Sequence, residues 1–124
     1  MREIKFRGRS CDKWLYGSLH VNESGQPAIS TPAHFVFRCV APETVGQYTG
    51  LKDSKGREIY EGDILHCKNK NPYWSPYDHN VVVSWGSDCW NADHSSLYEC
   101  IMHYKTEVIG NINDNPELLT VAPK

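Results

Sequence analysis

Cysteine and histidine side chains gather in the C-terminal half of the chain, and these residue types bind soft metal ions. Cys100 and His103 are three residues apart, so one turn of helix would place both on the same face, and Cys89 and His94 precede them. Structural zinc sites usually contain two such close pairs at regular spacing, whereas this segment has one. Metal binding is therefore the weaker interpretation. Buried thiols and solvated histidines are expected, and no cofactor is predicted.

Loop 68–79 combines aromatic rings with cations and prolines. Its rings and cations are Lys68, Lys70, Tyr73, Trp74 and Tyr77. Flat rings beside cations could stack on bases or on a partner surface, and Arg7 in the basic N-terminal strand could add a phosphate contact. The competing interpretation is that the rings fold down over one end of the domain. Nucleic-acid or nucleotide binding is thus an alternative function, which the net-acidic C-terminal half disfavours.

The segment Glu61-Gly62-Asp63 has the spacing of a paired-carboxylate site. Residues i and i+2 point to one side only if the backbone is extended, and Gly62 favours a turn instead. We therefore expect Asp63 to accept hydrogen bonds from backbone amides. The sequence also contains no phosphate-binding loop, no Gly-x-Ser-x-Gly elbow and no recognisable nucleophile with an orienting base. An enzyme is not predicted.

Short strands separated by polar turns must position these residues. Alternating or β-branched apolar residues predict seven strands, at 3–9, 14–21, 35–40, 45–49, 64–67, 81–85 and 108–112. In the second strand Trp14 and Tyr16 point to one face, and Leu15 and Leu19 to the other. Residues 28–34, which follow Pro27 and contain Pro32, are expected to be irregular. The fold class is mostly β, and a small curled sheet or barrel is expected because it removes exposed strand edges.

One segment has features of both a helix and a strand. Residues 95–104 carry apolar side chains at helical spacing, and Ser96 three residues before Glu99 is a capping-box pattern. Alternation over 98–102 fits a strand as well. We prefer a short helix here, so the fold has at most one or two short helices.

The size and charge of the chain predict a single domain over 1–124 with an uneven charge distribution. Residues 1–57 carry nine Lys and Arg against five Asp and Glu, about +4, and residues 58–124 carry four against ten, about −6. Such asymmetry favours an anionic partner or head-to-tail self-association unless the signs mix on the folded surface. Five irregularly spaced cysteines fit reduced thiols, and no apolar run has the length of a membrane span. A cytoplasmic location and no membrane partner are expected.

Two polar, glycine-containing motifs, at 47–64 and 107–119, are typical of backbone turns. Their turn-forming residues are Gly50, Asp53, Gly56, Gly62, Asp63, Gly110, Asn111, Asn115 and Pro116. Asn115 suits the N-cap and Pro116 the first position of a terminal helical turn. Together with Lys5-Phe6-Arg7 and the following turn to Trp14, these motifs resemble the YopX family, small proteins mostly encoded by phages and prophages. The resemblance implies an SH3-like or related small β-barrel and a phage or prophage origin, and it transfers no catalytic residues.

These observations predict a non-catalytic accessory protein that binds a host or phage protein, or itself as a homo-oligomer. One alternative is nucleic-acid or nucleotide binding through loop 68–77 and the basic N-terminal strand. Another is a zinc-binding protein or metal-dependent enzyme. Its ligands would come from Cys89, His94, Cys100 and His103.

Overall fold

A computed structural model describes residues 4–32, 36–70, 78–86, 88–92 and 95–120. These residues form two compact units that divide between Gly50 and Leu51. The strands that begin in the first unit are β1 (Phe6–Ser10), β2 (Lys13–Val21), β3 (Pro27–Ser30), β4 (Phe37–Cys39) and β5 (Gly46–Lys52). The second unit contains β6 (Glu58–Tyr60), β7 (Asp63–Asn69), β8 (Asp78–Trp85), β9 (Trp90–Ala92), β10 (Ser95–Ser96), α1 (Leu97–His103), β11 (Tyr104–Asn111) and α2 (Glu117–Thr120). Within the described ranges, no helix is long and apolar enough to cross a membrane.

The five strands that begin in the first unit form an antiparallel sheet together with β6, in the order β4-β3-β2-β1-β5-β6. Strands β1 and β2 form a hairpin whose register runs without a shift from Phe6↔Gly17 to Ser10↔Lys13. Because successive side chains of a strand alternate between faces, Leu15 and Leu19 point to one side of β2. That side is the core of the unit. Its buried residues are Leu15, Ile29 and Val40, with Phe6, Leu19 and Val45 packed against them.

The second unit has its own antiparallel sheet, with the order β10-β9-β8-β7-β11. Alternating residues of β7 and β8 form the centre of its core, and Leu65 and Val83 are at most 1% exposed. Helix α1 packs on this core through Leu97 and Cys100. Burying each such aliphatic side chain stabilises the fold by about 1.5–3 kcal/mol.

Helix α1 begins as the capping-box pattern predicts. Ser96 is the N-cap, and its Oγ accepts a hydrogen bond of 3.1 Å from the backbone N–H of Glu99. Helix α2 contacts β8, where Asn80 Nδ2 donates to the carbonyl oxygen of Leu118 at 3.0 Å. The expected helix over 95–104 and the mostly β fold class are thus confirmed.

Three features differ from the expectation. The described residues form eleven strands rather than about seven, and the additional ones, β3, β6, β9 and β10, are two to four residues long. Strand β3 lies in the segment expected to be irregular, because pairing with β2 and β4 extends a stretch that has no strong local pattern. The strands described here form two antiparallel sheets and no closed barrel, so the curled sheet is confirmed and the barrel named beside it is not.

Candidate functional site

Asp53 begins the polar turn after β5, and its side chain is only 6% exposed. Its Oδ1 accepts hydrogen bonds from the backbone N–H groups of Lys55 and Arg57, both at 2.9 Å. Its Oδ2 accepts one from the N–H of Val108 at 2.8 Å. Gly56 completes the turn at a φ of +82°, which glycine adopts without steric cost. Both oxygens of this carboxylate are therefore used by the backbone.

The turn at 53–57 also covers the outer edge of β11, whose other edge pairs with β7. The N–H of Ser54 donates to the carbonyl oxygen of Thr106 at 2.9 Å, and the N–H of Thr106 donates to Ser54 Oγ at 3.0 Å. Arg57 Nη1 donates to the carbonyl oxygen of Val108 at 3.1 Å. These groups satisfy edge amides and carbonyls that would otherwise bind a further strand. The sheet can therefore end at β11 without closing into a barrel.

An ion pair adds to the contact between this turn and β11. Lys55 Nζ lies 2.8 Å from Glu107 Oε2. The hydrogen bond from Lys55, together with its positive charge, lowers the pKa of Glu107 below its usual value. The two motifs noted in the sequence, 47–64 and 107–119, thus meet along one strand edge.

The corner at Glu61-Gly62-Asp63 is also held by backbone contacts. Gly62 has a φ of +91°; its N–H donates to the carbonyl oxygen of Val83 at 2.8 Å, and its own carbonyl oxygen accepts from the N–H of Ile112 at 2.9 Å. Asp63 is 2% exposed, and its Oδ2 accepts from the N–H of Tyr60 at 2.8 Å. Asp63 therefore faces the interior of the corner rather than an open site.

Asn111 organises the turn that follows β11. Its Oδ1 accepts from the backbone N–H groups of Asn113 and Asp114, at 3.0 and 2.9 Å. Its Nδ2 donates to Asp114 Oδ2 at 3.3 Å. This Asn side chain thus replaces backbone hydrogen bonds within the turn.

Asn115 packs against Gly110 and closes the same corner. Its Oδ1 accepts from the N–H of Asn111 at 3.4 Å, and a Cβ atom added to Gly110 would lie 2.5 Å from that oxygen. The close approach explains why glycine stands there, since Gly110 itself has no positive φ. The backbone carbonyl oxygen of Asn115 also accepts a hydrogen bond of 3.0 Å from the N–H of Leu118. Helix α2 begins at Glu117, the residue after Pro116.

The four cysteines and histidines proposed as metal ligands fall in different environments. Cys100 is buried in α1, whereas His103 is exposed at the end of that helix. Cys89 Sγ donates to Asn91 Oδ1 at 3.5 Å, and burial, followed by the carboxylate of Asp88, raises the pKa of the Cys89 thiol. His94 lies outside the described residues. Among the residues that the structure describes, no three His, Cys, Asp or Glu side chains are grouped to hold a metal ion.

Buried thiols were expected from the sequence, but a direct contact between two of them was not. Cys67 in β7 is fully buried and Cys100 is 6% exposed, and their Sγ atoms are 3.3 Å apart. The two residues are 33 positions apart in the chain, so no local spacing signals their contact.

The described part of loop 68–79 contains its two cations. Lys68 is exposed near the end of β7, and Lys70 Nζ donates to the carbonyl oxygen of Met102 at 3.1 Å. The three rings of this loop, Tyr73, Trp74 and Tyr77, lie outside the described residues. Arg7 belongs to the first unit, where it is 6% exposed.

One surface of the first unit is rich in aromatic side chains. We define the aromatic face as the side of its sheet opposite the core, carrying Trp14, Tyr16, His20 and Phe37. The register Ser18↔Ser30↔Phe37 across β2, β3 and β4 has no shift, which places Phe37 on the same side as these β2 residues. The rings of His20 and Phe37 have centroids 5.3 Å apart. Tyr16 is 44% exposed and Phe37 49%.

Cations of the N-terminal strand lie on the aromatic face. Arg9 pairs directly with Trp14, and Arg7 with Tyr16. The guanidinium carbon of Arg7 lies 4.9 Å from the centre of the Trp14 ring, a cation–π contact. Arg9 Nε donates to the carbonyl oxygen of Cys11 at 3.3 Å. Alternation along β2 indicated a face shared by Trp14 and Tyr16, but the addition of Phe37 required the register of three strands.

The fold and its turns define a small protein of two antiparallel sheets, with corners held by buried Asp and Asn side chains. The family model described as YopX protein matches residues 5–120, and the chain belongs to the YopX family. Among solved structures, it is similar to the crystal structure of protein EF1440 from Enterococcus faecalis. That likeness has a TM-score of 0.63 and 23% identity, and covers 96% of this chain and 99% of the other; it shows a shared fold. No curated protein matches the chain.

Proposed function

We propose that the protein is a non-catalytic binding module whose contact surface is the aromatic face of the first unit. Support comes first from the family motifs. The oxygens of Asp53, Asp63 and Asn111 accept hydrogen bonds from backbone amides, so the most chemically versatile side chains of these motifs serve the fold.

The observation that carries the proposal is the exposure of large rings on one regular sheet face. Single exposed apolar side chains are ordinary, but a group of them on one surface is typical of binding sites. Tyr16 and Phe37 each expose more than two-fifths of their surface, and Phe37 extends a strip that also contains His20. Tyr, Trp and Arg are enriched where proteins bind their partners.

Two classes of partner fit a face of this composition. A host or phage protein, or a second copy of the chain, could cover the rings and pair with β4, which ends the strand order of the first unit. A single-stranded nucleic acid could stack its bases on the same rings. Either class is consistent with an accessory role in the phage or prophage setting that the family resemblance implies.

A paired comparison of variants tests the proposal. The wild-type protein and the double variant Tyr16→Ser/Phe37→Ser are each incubated with a host lysate, and the bound proteins and nucleic acids are identified. We expect the variant to lose ligands that the wild type retains. In light scattering, we expect it to show none of the concentration-dependent increase in mass that self-association would give. The matched control is Tyr98→Ser/Met102→Ser on α1, where both side chains are more than half exposed. Equal retention and equal mass for all three proteins would contradict the proposal.

A further inference from the structure

We propose that the aromatic face binds single-stranded nucleic acid, with bases stacked on Tyr16 and Phe37 and phosphates near Arg9. This inference rests on the proposed function and names the class of ligand. It concerns a surface different from loop 68–77.

The first step is the arrangement of rings. Trp14, Tyr16 and His20 lie on one face of β2, two and then four residues apart, in a strip about 20 Å long at the usual rise per strand residue. Phe37 widens the strip at its far end, where its ring contacts that of His20. Rings that follow one another along a strand give platforms for bases, and stacking accepts any base because each has a π face.

The second step is the placement of cations beside the rings. Arg7 and Arg9 follow the neighbouring strand β1 and lie directly opposite Tyr16 and Trp14. Just before β1 begins, Lys5 Nζ lies 5.3 Å from the ring of Tyr48. Arg7 is only 6% exposed and packs on the Trp14 ring. Arg9 and Lys5 are therefore the cations that a backbone running beside the stacked bases would pass.

The third step is charge complementarity across the whole face. The strand residues on this side are Arg7, Arg9, Trp14, Tyr16, Ser18, His20, Ala28, Ser30, Phe37, Cys39, Gly46 and Tyr48. None of these strand positions is a carboxylate, so no acidic side chain lies among the rings and cations of the face. A protein partner can bind a face that carries acidic groups, whereas a polyanion is repelled by them.

The fourth step separates single strands from duplex. The grooves of a duplex admit a helix or a two-stranded ribbon, whereas the rings here lie on a broad sheet and reach bases only if those are unstacked. We therefore expect weak binding of duplex DNA at most, through the cations alone.

Fluorescence anisotropy with labelled dodecamers of deoxythymidine and of uridine, and a duplex of equal length, tests the inference. We expect both single strands to bind more tightly than the duplex, with affinity falling as salt rises. Tighter binding of the uridine dodecamer would identify RNA as the ligand, and tighter binding of the deoxythymidine dodecamer would identify DNA. No binding of either single strand at low salt overturns the inference.

Variants on the two sides of the same sheet make the test specific. Tyr16→Ala and Phe37→Ala should each weaken binding about tenfold, which lies within the contribution of base stacking on one aromatic ring. Arg9→Gln should reduce the slope of log affinity against log salt by about 0.7, one phosphate contact on a single strand. Arg38→Gln in β4 removes a cation from the opposite side of the strand, and Tyr98→Ala removes an exposed tyrosine from the second unit.

These control variants should bind as the wild type does, and all variants should keep the wild-type circular dichroism spectrum. Equal losses in the control and face variants would overturn the inference. A different result would be a wild type that binds no oligonucleotide but retains a protein from the lysate that the Tyr16 and Phe37 variants lose. That result would reject nucleic acid as the ligand and leave the proposed function standing.

Discussion

A buried carboxylate needs hydrogen-bond donors to offset the loss of its hydration, and at Asp53 these donors are amides of the chain itself. Two come from the turn that the residue begins, and the third comes from Val108 in β11. One side chain thus shapes a local turn and attaches it to a distant strand. The same combination of a glycine and an acidic side chain recurs at Gly62 and Asp63.

Replacing Asp53 by alanine should lower the free energy of unfolding by about 2–4 kcal/mol, because three backbone amides lose a charged acceptor. Urea unfolding followed by circular dichroism measures this change. Asp12→Ala, in the exposed β1–β2 turn, is the matched control and should change stability by no more than about 0.5 kcal/mol. Similar values for the two variants would show that the Asp53 contacts do not stabilise the fold.

Lys55→Gln should raise the pKa of Glu107 toward its ordinary value, because Lys55 is the main cause of its lowering. A carboxyl group with a lowered pKa in the folded state stabilises the protein above its unfolded-state pKa, and this contribution is lost as the pH falls through the folded-state pKa. The variant should therefore lose less stability on acidification than the wild type. NMR titration of the Glu107 carboxyl carbon checks the shift, and an unchanged pKa would contradict it.

At the level of secondary-structure elements, β11 is an edge strand protected by side chains instead of by another strand. Ser54 satisfies the carbonyl oxygen and the N–H of Thr106. Arg57 donates to the carbonyl oxygen of Val108, and Asp53 accepts from the N–H of Val108. The Asp53-to-Gly56 turn was recognisable from its residues. Its docking on β11 was not, because the partners are more than 50 residues apart.

The contact between β7 and α1 predicts a disulfide on oxidation. Cys67 and Cys100 have Sγ atoms 3.3 Å apart, so a modest side-chain movement brings them to bonding distance. Oxidised glutathione would accept two electrons and two protons from the thiols and leave as two molecules of glutathione. We expect a loss of two hydrogen masses in a peptide joining both residues, and a higher thermal midpoint because the cross-link restricts the unfolded chain.

A variant with serine at Cys11, Cys39 and Cys89 isolates this pair for mass spectrometry. Cys100→Ala in the same background is the control and should give no loss of hydrogen. Two intact thiols after oxidation in mild denaturant, where the pair becomes accessible, would contradict the prediction.

For the whole molecule, thiol reactivity should follow burial. Cys11 and Cys39 are exposed and should react rapidly with Ellman's reagent in the native protein, whereas Cys67 and Cys100 are buried and should react only on unfolding. Cys89, of intermediate exposure and raised thiol pKa, should lie between them. Peptide mapping identifies which thiols have reacted, and urea-denatured protein gives the full reaction of all five. Rapid labelling of Cys67 or Cys100 would contradict the prediction and show that the core of the second unit opens readily.

Local sequence was sufficient for the features that depend on a few neighbouring residues. Gly56 and Gly62 indicate turns because their φ values are costly for other residues, Ser96 and Glu99 indicate a helix start, and the family follows from such patterns. Folding in three dimensions was needed for every feature that joins distant positions. Strand pairing and core packing produce the Asp53–Val108 hydrogen bond, the Cys67–Cys100 contact and the grouping of Arg9 with Tyr16 and Phe37. Such long-range contacts depend on the arrangement of all strands together, which no short stretch of residues specifies.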